Sequence, residues 1–324
     1  MRKIFCTALT VALLWATHAA AEIREVVISK QYGLGFLPLI VLEEQRLIEK
    51  HAKAAGLGEV KTLWVTFSGG SVANDALLSG NAHIVSGGIA PFVRLWDKTQ
   101  GKVKALASLN EARIIFASNN PAVKSVRDLG EKDRIALPSV KVSVQALALQ
   151  IATAKAFGLD AFDRFDHLTV AMKHPDALVV LTGGHSEITG HIGVEPYSTL
   201  ELEHPNVHVV FNSFDLLGPH STNLIWATEV FYRENPNLAR AIVAALDEAN
   251  HWIAEHPEQA VQLYLSAYKS KESPELIRKA LKNELTFRTQ PLPNITLFSD
   301  FLFDTGATKR KPAHWKELFF EAVY

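Results

Sequence analysis

Two glycine turns carry the residue types and spacing in this sequence that could do chemistry. The first, Ser68-Gly69-Gly70-Ser71, follows an apolar run (residues 63–67) and opens a helical pattern with Val72, Ala76 and Leu77 on one face. The second, Gly87-Gly88-Ile89, follows the apolar run 82–85 and opens another helix. Where a strand stops at glycines and a helix begins, the first helical N–H groups have no intrahelical partner, and the helix dipole favours an anion. Glycine also lets a ligand approach the backbone closely. The chemistry this points to is capture of a small molecule. The competing structural readings are a plain turn with Ser71 as helix cap, and close helix–strand packing at Gly87 and Gly88.

Other residues could complete such a site. Tyr32 and Gly33 end the first strand, where an aromatic ring could stack on a flat ligand. Ser139, Val140 and Lys141 occupy a loop before a helix, and the Lys141 ammonium could pair with a carboxylate or sulfonate. His174 sits in a turn before Pro175, and Asn223 closes a strand-like crossing. Glu195, before Pro196, could hydrogen-bond a ligand or the opposite lobe, or simply steady the dipole of the next helix. A partly buried tyrosine, a solvated lysine and a turn histidine are the ordinary alternatives.

Catalytic and metal motifs are missing. Cys6 is the only cysteine and lies in the apolar leader, and no G-x-S-x-G elbow or H-E-x-x-H motif occurs. His204 and His208 are separated by Pro205-Asn206, so they do not share a helical face; His185 and His191 flank a turn and a strand without a third ligand. No metal and no cofactor is expected.

The elements that must position these residues repeat the order strand, glycine turn, helix, which is the grammar of a parallel α/β sheet binding ligands at its strand carboxyl ends. Strands are predicted at 25–30, 63–67, 82–85, 103–108 and 114–117, with a helix at 37–50. A second α/β set follows: strands at 134–137, 168–172, 188–194 and 207–211, and a helix at 143–157 with Gly158 just past its end. Helices then run at 236–256, 257–267, 274–285 and 296–305, and the tail 312–324 reads as a last amphipathic helix with Trp315, Phe319 and Phe320 on it. Crossings near 107–117 and 212–223 would join the first and last thirds. One lobe would then hold 22–110 and 222–324, the other 111–221, with the glycine turns of both facing one cleft.

The chain starts like an exported protein. Arg2 and Lys3 precede an apolar stretch (4–16) and an Ala19-Ala20-Ala21 cleavage site, so residues 1–21 read as a signal peptide. That stretch is too short for a mature membrane span. Removing its two basic residues from 33 leaves 31 against 34 acidic, a net charge of −3. This offers no basic field for nucleic acid or a membrane surface.

Residue order adds a family resemblance. Gln31-Tyr32-Gly33, the segment 64–70, the segment 76–84, Gly87-Gly88-Ile89-Ala90-Pro91, Ser125-Val126-Arg127-Asp128-Leu129, the segment 135–139 and the segment 190–196 follow one another along most of the mature chain. In this the chain resembles the nitrate/taurine/sulfonate class of periplasmic solute-binding proteins of ABC transporters, which includes binders of thiamine-pyrimidine precursors. The resemblance implies a two-lobed, type II periplasmic-binding-protein-like α/β fold with two hinge strands and C-terminal helices. It also implies closure over a small organic anion, a monomer in the periplasm, and a permease and ATPase in the inner membrane as partners. Sulfonate-binding members often carry Gly-Ser-Ser where this chain has Gly87-Gly88-Ile89, and Gly-Ser/Thr where it has Val140-Lys141. Enzymes on the same fold acting on heterocyclic or sulfur-containing substrates depend on cysteines that the mature chain lacks. A ligand-sensing module for a membrane receptor is the third alternative.

Overall fold

Along β1 (Glu25–Lys30) Val26 and Ile28 turn into one core, Val27 packs against a second and Ser29 is buried, with Glu25 left to solvent, the pattern of a strand covered on both faces. In this computed structural model, which describes residues 22–184, 187–283 and 285–321, β1 pairs in parallel with β2 (Lys61–Thr66) and β3 (Ile84–Gly88). The expected signal segment 1–21 lies outside the described residues. The remaining strands are β4 (Val103–Ala112), β5 (Ile115–Ser118), β6 (Ile135–Leu137), β7 (Thr169–Ala171), β8 (Gly190–Gly193), β9 (His208–Asn212), β10 (Ser221–Thr228) and β11 (Leu285–Phe287). They form two sheets, ordered β11-β4-β10-β3-β1-β2 and β7-β6-β8-β5-β9. Both sheets are mixed: the glycine-turn units pair in parallel, whereas β10, β4, β5 and β9 run antiparallel to their neighbours.

In chain order the helices are α1 (Leu37–Glu44), α2 (Leu47–Ala54), α3 (Gly70–Leu78), α4 (Ile89–Lys98), α5 (Val144–Phe157), α6 (His174–Thr182), α7 (Tyr197–Leu202), α8 (Ser213–Leu217), α9 (Glu229–Glu234), α10 (Pro236–Glu255), α11 (Pro257–Ala267), α12 (Pro274–Lys282) and α13 (Thr296–Asp304). Prolines open α10, α11 and α12, where a missing N–H costs nothing. One core packs α1, α2, α10 and α11 on the first sheet. A second begins under α4 with Phe92 and Trp226 and continues into the other lobe through Phe116, Leu147 and Ile192.

The tail corrects an expectation. Instead of a helix, 315–318 makes one tight turn, after which Phe319 bridges Ala105 at the sheet and Phe320 N donates to Ala105 O at 3.0 Å. The rings of Phe319 and Phe320 enter different cores, and Phe320 stacks on Tyr232 at 4.1 Å. Adjacent rings on opposite sides follow a strand's period of two.

The chain leaves the first sheet between Ala112 and Ile115 and returns between Asn212 and Ser221. The two passages are bonded to each other. Ser213 N donates to Ile114 O at 2.9 Å, and Ile114 N donates to the Ser213 hydroxyl at 2.8 Å. Buried His220 backs this joint from within the returning passage, its Nε2 2.9 Å from the Ser213 hydroxyl. Burial pushes its pKa from 6.5 down to about 4. As pH falls, the unfolded chain therefore binds this proton first. The stabilisation is complete above the unfolded value of 6.5 and is lost between there and about 4. Urea unfolding followed across that window should show up to ~3 kcal/mol lost from this group, less in a His220→Asn variant.

Candidate functional site

The first sheet delivers its strand ends to one crevice. β1 ends at Gln31-Tyr32, β2 leads through Ser68-Gly69 to α3, and β3 runs directly into α4. Gly69 caps α3 and Gly88 caps α4, neither with a side-chain hydrogen bond, so their first N–H groups stay open. From the other lobe come α5, behind a Ser143 hydroxyl that accepts from Ala146 N at 3.2 Å, and α6, which starts at His174 without a side-chain cap. Gly70, Gly88, Ser143, Val144 and His174 therefore place four helix starts in the wall of a single narrow crevice of about 20 Å³. Gln31, Tyr32, Phe36, Pro91, Pro138, Gln145, Val194 and Asn223 complete the wall. Among the described residues no lysine or arginine lines it. Its polar side chains are held from behind: Gln31 Nε2 donates to Ser86 O at 2.6 Å, and Asn223 Nδ2 donates to Asn110 Oδ1 at 3.2 Å.

The two lobes touch across the crevice through glycines. A Cβ at Gly69 would lie 2.9 Å from Ser139 Oγ, one at Gly88 would lie 2.7 Å from Val144 Cγ1, and one at Gly33 would lie 3.2 Å from Glu195 O. Hydrogen bonds run beside them, from Leu34 N to Glu195 O at 2.8 Å and from Arg94 Nη2 to Lys141 O at 3.1 Å. Beyond Tyr32 opens a larger space of about 350 Å³, walled by Tyr32, Tyr197, Tyr264 and Tyr268 with Lys173 and Glu272 among its polar residues.

Of the residues expected from sequence, Tyr32, Gly70, Gly88, His174 and Asn223 come together in the crevice wall. Gly33, Gly69 and Ser139 form its closing contacts, and Gly87 packs against Gln31 and Trp226. Six others serve differently. Ser68 is exposed and Ser71 half-buried in the first turn of α3. Ile89 begins α4, but its side chain is wholly in the core. Lys141 stands outside the wall with its side chain exposed, and its carbonyl, in a backbone with φ of 63°, meets the other lobe through Arg94. Half-buried Val140 belongs to the same turn. The Glu195 carboxylate is also engaged elsewhere. It accepts from Arg113 at 3.0 Å and from Thr199 N at 3.2 Å, at the start of α7, and burial pushes its pKa up against the pull of these partners. Its backbone carbonyl makes the interlobe contact.

Sequence reading passed over Gln31, Ser143 and Gln145. Ser143 was legible as a helix cap and Gln31 as the neighbour of Tyr32, whereas Gln145 carries no local signal. It also passed over a buried line behind His174. His174 Nδ1 lies 2.8 Å from His191 Nε2, and His191 Nδ1 lies 2.5 Å from Glu201 Oε1. On the crevice side, Gln145 Nε2 is 3.3 Å from His174 Nε2, and Tyr197 stacks on the imidazole at 5.5 Å. Among the described residues no group of three or more His, Cys, Asp or Glu could hold a metal ion; His185 lies outside them.

Two α/β lobes, two adjacent chain passages and a crevice between strand ends define the type II periplasmic-binding-protein fold. Solved structures share it. The alkanesulfonate-binding protein SsuA from Xanthomonas axonopodis pv. citri, bound to MOPS, superposes with a TM-score of 0.73 at 15% identity, covering 92% of this chain and 99% of that one. The periplasmic aliphatic sulphonate binding protein SsuA from Escherichia coli gives 0.69 at 19% identity, covering 93% and 100%. The periplasmic nitrate-binding protein NrtA from Synechocystis PCC 6803 gives 0.68 at 14% identity, covering 91% and 84%. No curated protein matches in sequence. The family model described as NMT1/THI5 like matches residues 68–260, and the chain belongs to that family.

Proposed function

We propose that this protein is the periplasmic solute-capturing component of an ABC importer, closing its two lobes over a small organic anion, a sulfonate or a carboxylate, and delivering it to a membrane permease and its ATPase. The observation that carries the reading is the convergence of four helix starts, two from each lobe, on one crevice. Such N–H groups bind an anion without a fixed cation, which suits a wall free of lysine and arginine. The tyrosine-walled space beyond Tyr32 offers room for the organic part of the ligand. Solved relatives of this fold include proteins named for alkanesulfonates and for nitrate, which supports the anion class and leaves the choice within it open.

A thermal-shift panel of alkanesulfonates, arylsulfonates, nitrate and short carboxylates tests the reading. A true ligand at a thousandfold excess over its Kd should stabilise by about 4 kcal/mol, a rise of roughly 6 °C for a chain of this size. A panel in which no anion raises the melting temperature overturns the anion class.

A further inference from the structure

Glu201, His191 and His174 form an unbroken line from a fully buried carboxylate to the crevice wall. That line has two proton inventories. With Glu201 ionised and both rings neutral, His191 Nδ1–H donates to Glu201, His174 Nδ1–H donates to His191 Nε2, and His174 Nε2 meets the crevice as a bare acceptor. One more proton from solvent, shared between Glu201 and His191 Nδ1, reverses the middle bond. His191 Nε2–H then donates to His174 Nδ1, and His174 Nε2 carries its hydrogen into the crevice.

Burial decides between them. Glu201 is 0% exposed, among the described residues its Oε2 has no hydrogen-bond partner, and its ion-pair partner is His191. A buried carboxylate held by one neutral donor is costly, whereas the extra proton leaves the pair neutral overall. His174 does not hold that charge itself, because burial and the neighbouring His191 push its pKa far below the imidazole range. The surrounding charges are satisfied separately. On α6, Lys173 pairs with Asp176 at 3.5 Å; at the start of α7, Glu195 pairs with Arg113; and at its end Glu203 bonds Lys279 of α12. Tyr197 presents its ring to His174 with Tyr264 and Tyr268 beyond it, and α5 presents only the neutral Gln145.

We propose that the crevice selects its ligand through a neutral His174 Nε2–H donor, fixed in that tautomer by one proton which the buried Glu201–His191 pair shares. An acceptor such as an oxyanion is then bound, and a group that offers a hydrogen is refused. His174 determines specificity, while His191 and Glu201 are positioning residues. The Gln145 amide nitrogen, 3.3 Å from His174 Nε2, must then exchange places with its own oxygen by a half-turn of the amide, after which that oxygen accepts the same hydrogen until a ligand replaces it. This rests on the crevice being the binding site proposed above, but its test needs no ligand.

Long-range proton–nitrogen NMR on protein labelled at its histidine rings reads each tautomer directly. Near neutral pH, both His174 and His191 should carry hydrogen on Nε2, with a strongly downfield resonance from the hydrogen shared by His191 Nδ1 and Glu201. Glu201→Gln should abolish that resonance. A wild-type His174 hydrogenated on Nδ1, or on both nitrogens, overturns the proposal, and this holds whether or not the variant folds. For an anion found by the thermal panel, His174→Phe keeps the ring stack but removes the donor and should weaken binding at least tenfold. Unchanged affinity also overturns it. An empty panel with the expected tautomers would instead sink the anion reading alone.

Discussion

A Gly88→Ala variant should fold normally and bind the captured anion at least tenfold more weakly. Gly88 has φ of −69° and ψ of 157°, a conformation open to any residue, so a methyl group there strains no backbone. It meets Val144 of the opposite lobe instead, 2.7 Å from Cγ1 and 2.9 Å from Cβ. Carbon atoms rest at about 3.5–4.0 Å, so the lobes must stand apart locally by roughly 1 Å. Ligand hydrogen bonds made by both lobes lengthen together, and one charge-assisted bond is worth about 1.5–3 kcal/mol. A fall of tenfold or more follows, with little change in melting temperature. Val144→Gly in the same chain should restore most of the affinity, because it removes the opposing Cβ together with its methyls and leaves Val144 N at 3.7 Å as the nearest atom. Equal affinity for Gly88→Ala and wild type would mean that the two lobes do not need this contact to hold the ligand.

Trp226→Ala should cost about 3–5 kcal/mol in urea unfolding, the range for deleting a large buried aromatic side chain. Trp226 is fully buried in β10, which lies between β3 and β4. Its ring packs on Phe92 at 5.5 Å, and its Nε1 donates to Asn74 Oδ1 at 3.1 Å. Asn74 in turn donates to Pro91 O at 2.9 Å, so the indole braces α3 and the opening of α4 as well as filling the core. Trp226→Phe keeps much of the burial and loses the hydrogen bond, so it should cost about 1–2 kcal/mol beyond the lost ring area. A Trp226→Ala loss below ~1.5 kcal/mol would show that the core collapses around the gap.

How much of this was legible in the sequence depended on how local the cause was. The turns at Gly69-Gly70 and Gly87-Gly88 announce themselves because strand end, glycine and helix start are adjacent in the chain, and both lie at the crevice. At Lys141 the sequence shows a lysine before a helix, an anion-ligand pattern, but not the left-handed turn that offers the interface a carbonyl and leaves the ammonium outside the wall. The tail misled through its spacing. The four-residue interval from Trp315 to Phe319 imitates a helix, while the neighbouring Phe319 and Phe320 already show the alternation of a strand. The line His174–His191–Glu201 could not be read at all. Its members lie on α6, β8 and α7, and only the packing of those three elements brings the imidazoles to 2.8 Å. The antiparallel placement of β10 beside β3 was equally non-local, since it is fixed by where the chain returns after the second sheet.

The two hydrogen bonds between Ile114 and Ser213 have a mechanical consequence. Pins set side by side let a door swing but resist sliding, since shear would load both together. Displacement at the far rim of the second lobe therefore arrives at the mount as torque about one axis, with the imidazole of His220 wedged at its root.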